Sequence, residues 1–360
     1  MAKILYAAGT YTHIKCFHLD YIKALKDEGH EVLTMASGEG ADFNIAFQKK
    51  MFSFKNLKCI STIKKILKRE GFDAIILNTT LAAFNIRMAL PRKKRPTVLN
   101  IVHGYMFSTE PSGLKEKIFL LAEKLLRKKT DSVIVMNEED LISAKKYSLC
   151  RGECRKIEGM GAKVHEQVES VEAIRARLGY EGKYIITFVG ELSYMKNQNM
   201  LISLLPRIKE SIKDAVLCFP GVGEDKSAFI ELADSLSVSD SVVFPGYVSN
   251  PCDYVRASDL YVSPSRKEGL PFNVIEALGV GKTVIATDIR GHRDLIESGK
   301  NGILFNKDSE EELLEKILAV HSGKILLDKQ DILDSYKKYS KDEVLDKTLA
   351  AIKESAKITK

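Results

Sequence analysis

Short apolar runs alternate along the chain with stretches whose apolar residues recur every three or four positions. Residues 3–8, 31–35, 74–78, 97–102 and 132–136 read as buried strands. Between them, helical patterns fall at 17–28, near 61–70, at 114–129 and from about Glu138. This rhythm predicts a parallel sheet covered by helices, hence one doubly wound domain. Residues 159–182 are charged and short of strand patterns, and the linker is placed there. A second series follows: strands at 184–189, 216–219, 242–244, 260–263, 283–287 and 302–305, with helices at 200–213, 226–235, 274–278 and 310–320. It is again doubly wound. Ser340 and Glu343 have capping-box spacing and open a last helix to about Ser355. The expected domains are residues 1–163, braced by a returning helix at 338–360, and residues 164–337, facing across a cleft at the carboxyl ends of their strands.

Composition narrows the class. At 360 residues the chain suits two ordinary cores, and 45% hydrophobic with 29% charged residues is a folded protein's balance. No apolar run reaches bilayer-spanning length, and the start runs into a strand without a signal-peptide pattern, so a cytoplasmic location is expected. The six cysteines are scattered except for Cys150 and Cys154, and read as reduced thiols. The net charge of +7 is uneven: residues 1–163 hold 29 Lys and Arg against 17 Asp and Glu, the remainder 26 against 31. The basic first domain favours an anionic partner, either a phosphate-bearing substrate or an acidic membrane surface. Nucleic acid fits less well, since no zinc-finger or RNP-like pattern accompanies the charge.

The chemistry concentrates between Ser263 and Glu276. A buried strand ends, a glycine-containing loop follows, and a helix starts near Phe272. Backbone N–H groups of Gly269, Leu270, Phe272 and Asn273 at such a start favour an anion such as a diphosphate; Pro271 has none to offer. Glu268 precedes the helix and Glu276 lies about one turn inside it, so the two carboxylates can accept hydrogen bonds from different hydroxyls of one ligand.

The nine residues from Glu268 to Glu276, Glu-Gly-Leu-Pro-Phe-Asn-Val-Ile-Glu, resemble the E-x7-E signature of the retaining glycosyltransferases of family four. That family has the GT-B architecture of two Rossmann-like domains. The resemblance covers nearly the whole chain. It implies that Glu268 contacts the donor sugar and Glu276 the ribose. The loop from Gly190 to Lys196 resembles the family's phosphate-binding loop, with Lys196 as its lysine and Glu191 where many members carry an arginine. Arg290, in a later glycine-containing loop, is a candidate replacement for that cation, with a solvated surface arginine as the competing reading. His103, before Gly104 at a strand end, is similar to the family's His-Gly near the reacting sugar. Gly9 and His13 resemble the loop that lets backbone approach the donor and faces the acceptor. The resemblance also implies that Tyr247 lies near the nucleobase.

With no Asp-x-Asp in the chain, no metal or other cofactor is expected. The resemblance implies front-face displacement, in which the leaving phosphate takes the acceptor's proton and no side chain is a nucleophile. The segments 13–25 and 103–107 look most like bacterial exopolysaccharide and capsule transferases. The donor implied is a UDP-linked hexose or N-acetylhexosamine, the acceptor a lipid-linked saccharide. The basic amphipathic stretch 114–129 suits peripheral contact with anionic lipid. Competing readings are a nucleotide-sugar epimerase of the same architecture and a non-catalytic sugar-nucleotide-binding subunit.

Overall fold

The computed structural model describes residues 1–47, 55–91 and 93–358. The chain divides into two compact units, Met1–Gly161 with Lys341–Lys360, and Ala162–Ser340. Each is built on a parallel sheet, as a GT-B protein's Rossmann-like domains are.

In the first unit, among the described residues, the strands are β1 (Lys3–Thr10), β2 (Glu31–Ser37), β3 (Phe43–Asn44), β4 (Ala74–Asn78), β5 (Thr97–Val102), β6 (Ser132–Val135) and β7 (Cys154–Lys156). Their spatial order is β3-β2-β1-β4-β5-β6-β7. Every residue of β4 and β6 is buried, as expected where helices cover both faces of a parallel sheet. The helix expected at 17–28 is instead two, Tyr11–Phe17 and Leu19–Asp27, broken at His18. Thr10 caps the first by accepting from the His13 amide, while the buried His18 imidazole meets the Tyr6 hydroxyl. A helix at Thr80–Ala89 escaped the sequence pattern because it buries residues around most of its circumference and carries no apolar stripe. The final helix, Lys341–Ala356, packs on this unit, with the Thr348 hydroxyl donating to the Gly159 carbonyl at 3.1 Å.

The second unit contains β8 (Tyr184–Thr187), β9 (Ala215–Pro220), β10 (Val242–Gly246), β11 (Leu260–Ser263), β12 (Val284–Thr287) and β13 (Ile303–Phe305), ordered β10-β9-β8-β11-β12-β13 among the described residues. Inside the expected linker stands a helix, Val171–Leu178, capped by the Ser170 hydroxyl and stopped by Gly179 at φ 70°. Its high charge hid it.

In both sheets the chain reverses its direction of winding beside the first strand. The switch lies between β1 and β4 in one unit and between β8 and β11 in the other. At such points the loops after adjacent strands run to opposite faces and leave a crevice at the strands' carboxyl ends, which is where open sheets of this kind bind ligands.

One buried ion pair fixes a helix of the first unit. Arg87, fully buried, is held in a two-pronged contact by Glu123 of the helix Leu114–Leu126, at 2.7 and 2.8 Å, and also donates to the Ala83 carbonyl at 2.9 Å. Removing one partner strands a charge out of water. Glu123→Ala is expected to cost about 3–5 kcal/mol, and Arg87→Met with Glu123→Leu distinctly less, measured as denaturant midpoints; a Glu123→Ala cost below about 1 kcal/mol would refute the argument.

Candidate active site

In the second unit the loops after β8 and β11 meet at the switch point. Lys196 Nζ donates to Glu268 Oε1 at 2.7 Å, with the two side chains 22% and 10% exposed. The Lys196 loop is tied down by Asn197, whose side chain donates to the Pro264 carbonyl at 3.0 Å, and by Arg266, whose amide reaches the Met195 carbonyl at 2.8 Å. The helix Phe272–Gly279 begins after Pro271, and Asn273 Nδ2 donates to the Val189 carbonyl at 2.7 Å, joining the helix start to the end of β8. Leu270 is buried behind it.

Glycines let these loops close up. A β-carbon on residue 221 would stand 1.8 Å from the Gly190 carbonyl oxygen, and one on residue 291 would stand 2.5 Å from that of Gly269. Gly291, at φ 80°, thereby brings the loop after β12 against Glu268 and Gly269. Arg290 in that loop is 7% exposed, so it is not a solvated surface arginine. Glu191 is exposed, and its carbonyl accepts from Gln198 Nε2 at 2.8 Å. Tyr247, next to Gly246 at the end of β10, is 83% exposed, and the Gly246 carbonyl accepts from the Gly221 amide at 2.8 Å.

Glu276 lies on the fifth residue of its helix. Burial pushes its carboxyl up to about 7.

Two groups here were missed in the sequence. His292 is fully buried, with Nδ1 2.8 Å from the Thr287 carbonyl and Nε2 3.1 Å from the Ser263 hydroxyl. The carbonyl can only accept, so Nδ1 carries the proton and Nε2 accepts from Ser263. Burial holds the ring neutral against the pull of Glu268. Arg266 is the other: its guanidinium lies 4.1 Å from the centre of the Tyr194 ring and donates to the Tyr194 carbonyl at 2.6 Å, a cation two residues before Glu268. Its signal was an arginine and a lysine directly ahead of the Glu268 loop.

In the first unit the carboxyl end of β1 meets Thr79, the turn after β4; Gly9 stands within the strand and His13 within the helix Tyr11–Phe17, where the sequence suggested a loop. The Gly9 amide donates to the Thr79 hydroxyl at 2.8 Å, and Thr79 holds φ 66°, a strained value for a β-branched residue. His13 and His103 lie edge to face, ring centres 4.7 Å apart, with His18 beside both. His103 Nε2 is 3.5 Å from Asn78 Oδ1, and the residue lines a cavity of about 200 Å³ with Thr79, Asn100 and Tyr105. Burial holds all three imidazoles neutral, His13 at about 4. His18, Tyr6 and Asn78 were not singled out in the sequence, although His18 lies five residues beyond His13.

The helix Leu114–Leu126 turns apolar residues outward as well as inward. Leu114, Ile118, Leu121 and Leu125, spaced along one stripe, are 41–77% exposed, and Lys115, Lys117 and Lys124 are exposed around them. No helix among the described residues is long and apolar enough to cross a membrane.

Comparison with known proteins agrees with this geometry. Residues 170–341 match the family model described as glycosyl transferases group 1. EpsD of Bacillus subtilis, whose name places it among the glycosyltransferases, is 32% identical over 315 residues, 84% of this chain and 83% of its own. An Escherichia coli protein named UDP-Gal:alpha-D-GlcNAc-diphosphoundecaprenol alpha-1,3-galactosyltransferase is 22% identical over 286 residues, 76% and 72% of the two chains. Among solved structures, Anabaena HepE in complex with UDP and glucose superposes with a TM-score of 0.79 at 17% identity, covering 98% of this chain and 99% of that one. With the E-x7-E segment seated at the switch point of a Rossmann-like unit, the chain belongs to the group 1 glycosyltransferases.

Proposed function

We propose that this glycosyltransferase moves a hexose or N-acetylhexosamine, with retention and without a metal, from a UDP-linked donor to a lipid-linked saccharide during synthesis of a cell-surface polysaccharide. The observation that carries the reading is the Lys196–Glu268 contact of 2.7 Å at the mouth of the helix Phe272–Gly279. A cation and a helix start together suit a diphosphate, and a carboxylate beside them suits sugar hydroxyls. The uridine nucleotides named with HepE and the Escherichia coli relative support a UDP donor, and the latter's diphosphoundecaprenol-linked acceptor supports the lipid carrier.

In this reading the bond from the anomeric carbon to the diphosphate oxygen breaks with its electron pair passing to the phosphate. The acceptor oxygen bonds to the same face of that carbon, and its proton passes to the leaving phosphate. Lys196, the amides of Gly269, Leu270, Phe272 and Asn273, and the buried Arg290 stabilise the charge that develops. Glu268 positions the sugar, Glu276 accepts from the ribose hydroxyls, and Tyr247 lies against the base. On the acceptor side, His103 orients a hydroxyl of the reacting sugar, His13 faces the acceptor, and Gly9 leaves room for close backbone approach. The exposed leucine stripe of the helix Leu114–Leu126, rimmed by lysines, fits the surface of an anionic membrane that holds such an acceptor.

Lys196→Ala is expected to lower kcat by roughly 10²–10³-fold, with product anomer read by NMR; an inverted product, or turnover unaffected by the substitution, would sink the reading. Glu276 supplies a pH test. Its carboxylate accepts hydrogen bonds better than its acid, so donor affinity should fall as pH falls through about 7, and Glu276→Gln should remove that step. An unchanged pH profile in the variant would place the titration elsewhere. For the membrane, the protein should sediment with acidic vesicles at low salt, and Leu121→Glu with Leu125→Glu should weaken this by about tenfold or more. Equal sedimentation of the variant, or none by the parent protein, would remove lipid contact from the proposal.

A further inference from the structure

We propose that His13, His18 and His103 form a binding site for one late first-row divalent cation, Zn2+ foremost, and that its occupancy inhibits sugar transfer. One ligating nitrogen from each ring can be chosen so that all lie within 4.8 Å of one another. His13 Nε2 and His18 Nε2 are already 3.3 Å apart. Two nitrogens bound to tetrahedral zinc at about 2.0–2.1 Å lie about 3.3 Å from each other, so this pair has the spacing of two ligands before any metal arrives. The His103 ring supplies the third nitrogen within that 4.8 Å limit.

The surroundings suit a metal. Tyr6 Oη is 2.9 Å from His18 Nδ1, which directs the opposite nitrogen, Nε2, into the cluster. Such an outer partner is what holds a ligating histidine in one tautomer and orientation. Three nitrogen donors with no carboxylate select Zn2+, Ni2+ or Cu2+ over Mg2+, Ca2+ or Mn2+. His18 is fully buried, while His13 and His103 are partly exposed and leave a side for entry.

A metal on these nitrogens removes them as hydrogen-bond partners for a sugar hydroxyl. The inhibitory half of the proposal therefore rests on the acceptor-side reading above, while the binding half does not.

The test uses the full chain, freed of any affinity tag and stripped with chelator, titrated with ZnCl2 by calorimetry and with Co2+ by visible absorption. One equivalent is expected, with His13→Gln and His103→Gln each weakening it by more than tenfold and Tyr6→Phe by about tenfold. Exposed His165→Gln should leave it unchanged. So should Cys150→Ser, which controls for the thiol pair Cys150–Cys154, whose sulfurs are 3.4 Å apart. Thermal melts confirm that each variant is folded. No saturable binding, binding untouched in both His13→Gln and His103→Gln, or binding lost with Cys150→Ser would overturn the site. Zn2+ should then inhibit transfer, reversibly with chelator. Binding without inhibition would keep the site and overturn both the inhibitory half and the acceptor-side role of these histidines.

Discussion

The loops around Lys196 and Glu268 are arranged by a restriction on volume: the Gly190 carbonyl occupies the place where any other residue at 221 would put its β-carbon. That contact lets the chain after β8 run beside the chain after β9, joined by the Gly190 amide to the Pro220 carbonyl at 3.0 Å and the Leu192 amide to the Val222 carbonyl at 3.0 Å. Held on that side, the β8 loop is pressed toward β11, and Lys196 arrives within 2.7 Å of Glu268. Gly291 does the same from the far side by admitting the Gly269 carbonyl. The charged contact is therefore a product of backbone packing, and side chains of modest length suffice because the backbone has already converged.

Charge in this convergence is balanced for an arriving anion. Lys196 is neutralised by Glu268, and burial keeps His292 uncharged, outweighing the Thr287 carbonyl and Glu268, which both favour the charged ring. An anion that takes Lys196 competes with Glu268 and releases that carboxylate toward other donors. Glu276 is the complementary case. Burial alone raises it to about 7. A carboxyl raised on folding makes the native state bind more protons than the unfolded chain between its ordinary value and about 7, so its own contribution to stability declines as pH rises through that window. A group that costs stability when ionised is better explained by a ligand that supplies hydrogen bonds to it than by the fold.

Much of this was legible in the sequence, and the exceptions have physical reasons. Strand runs such as 74–78 and 97–102 coincide with β4 and β5 because parallel strands buried on both faces are continuously apolar. The helix Thr80–Ala89 was hidden for the converse reason: buried around most of its surface, it has no periodic signature. The residues from Glu268 to Glu276 could be recognised because glycine, proline and carboxylates recur there at fixed spacing. His18 and His292 could not, since a histidine's importance lies in what surrounds it, and Tyr6 and Ser263 become their partners only after folding. The burial of Arg290, against the solvated reading the sequence left open, was not legible because exposure in a loop is set by packing after folding.

The helix Leu114–Leu126 shows how one polar residue decides what a helix presents. Leucines and isoleucine occur on more than one of its faces, so apolar content alone does not choose which is buried. Glu123 does. Its carboxylate is committed to Arg87, which has no exposure, and a charge left in that position without a partner is far costlier than a leucine left in solvent. With Glu123 turned inward, Leu120 and Leu126 are buried beside it, and Leu114, Ile118, Leu121 and Leu125 are forced outward among lysines. The exposed apolar stripe is thus not slack packing. It is the remainder after an internal ion pair has fixed the helix's rotation, and a stripe retained at that expense has its natural explanation in a surface that covers it.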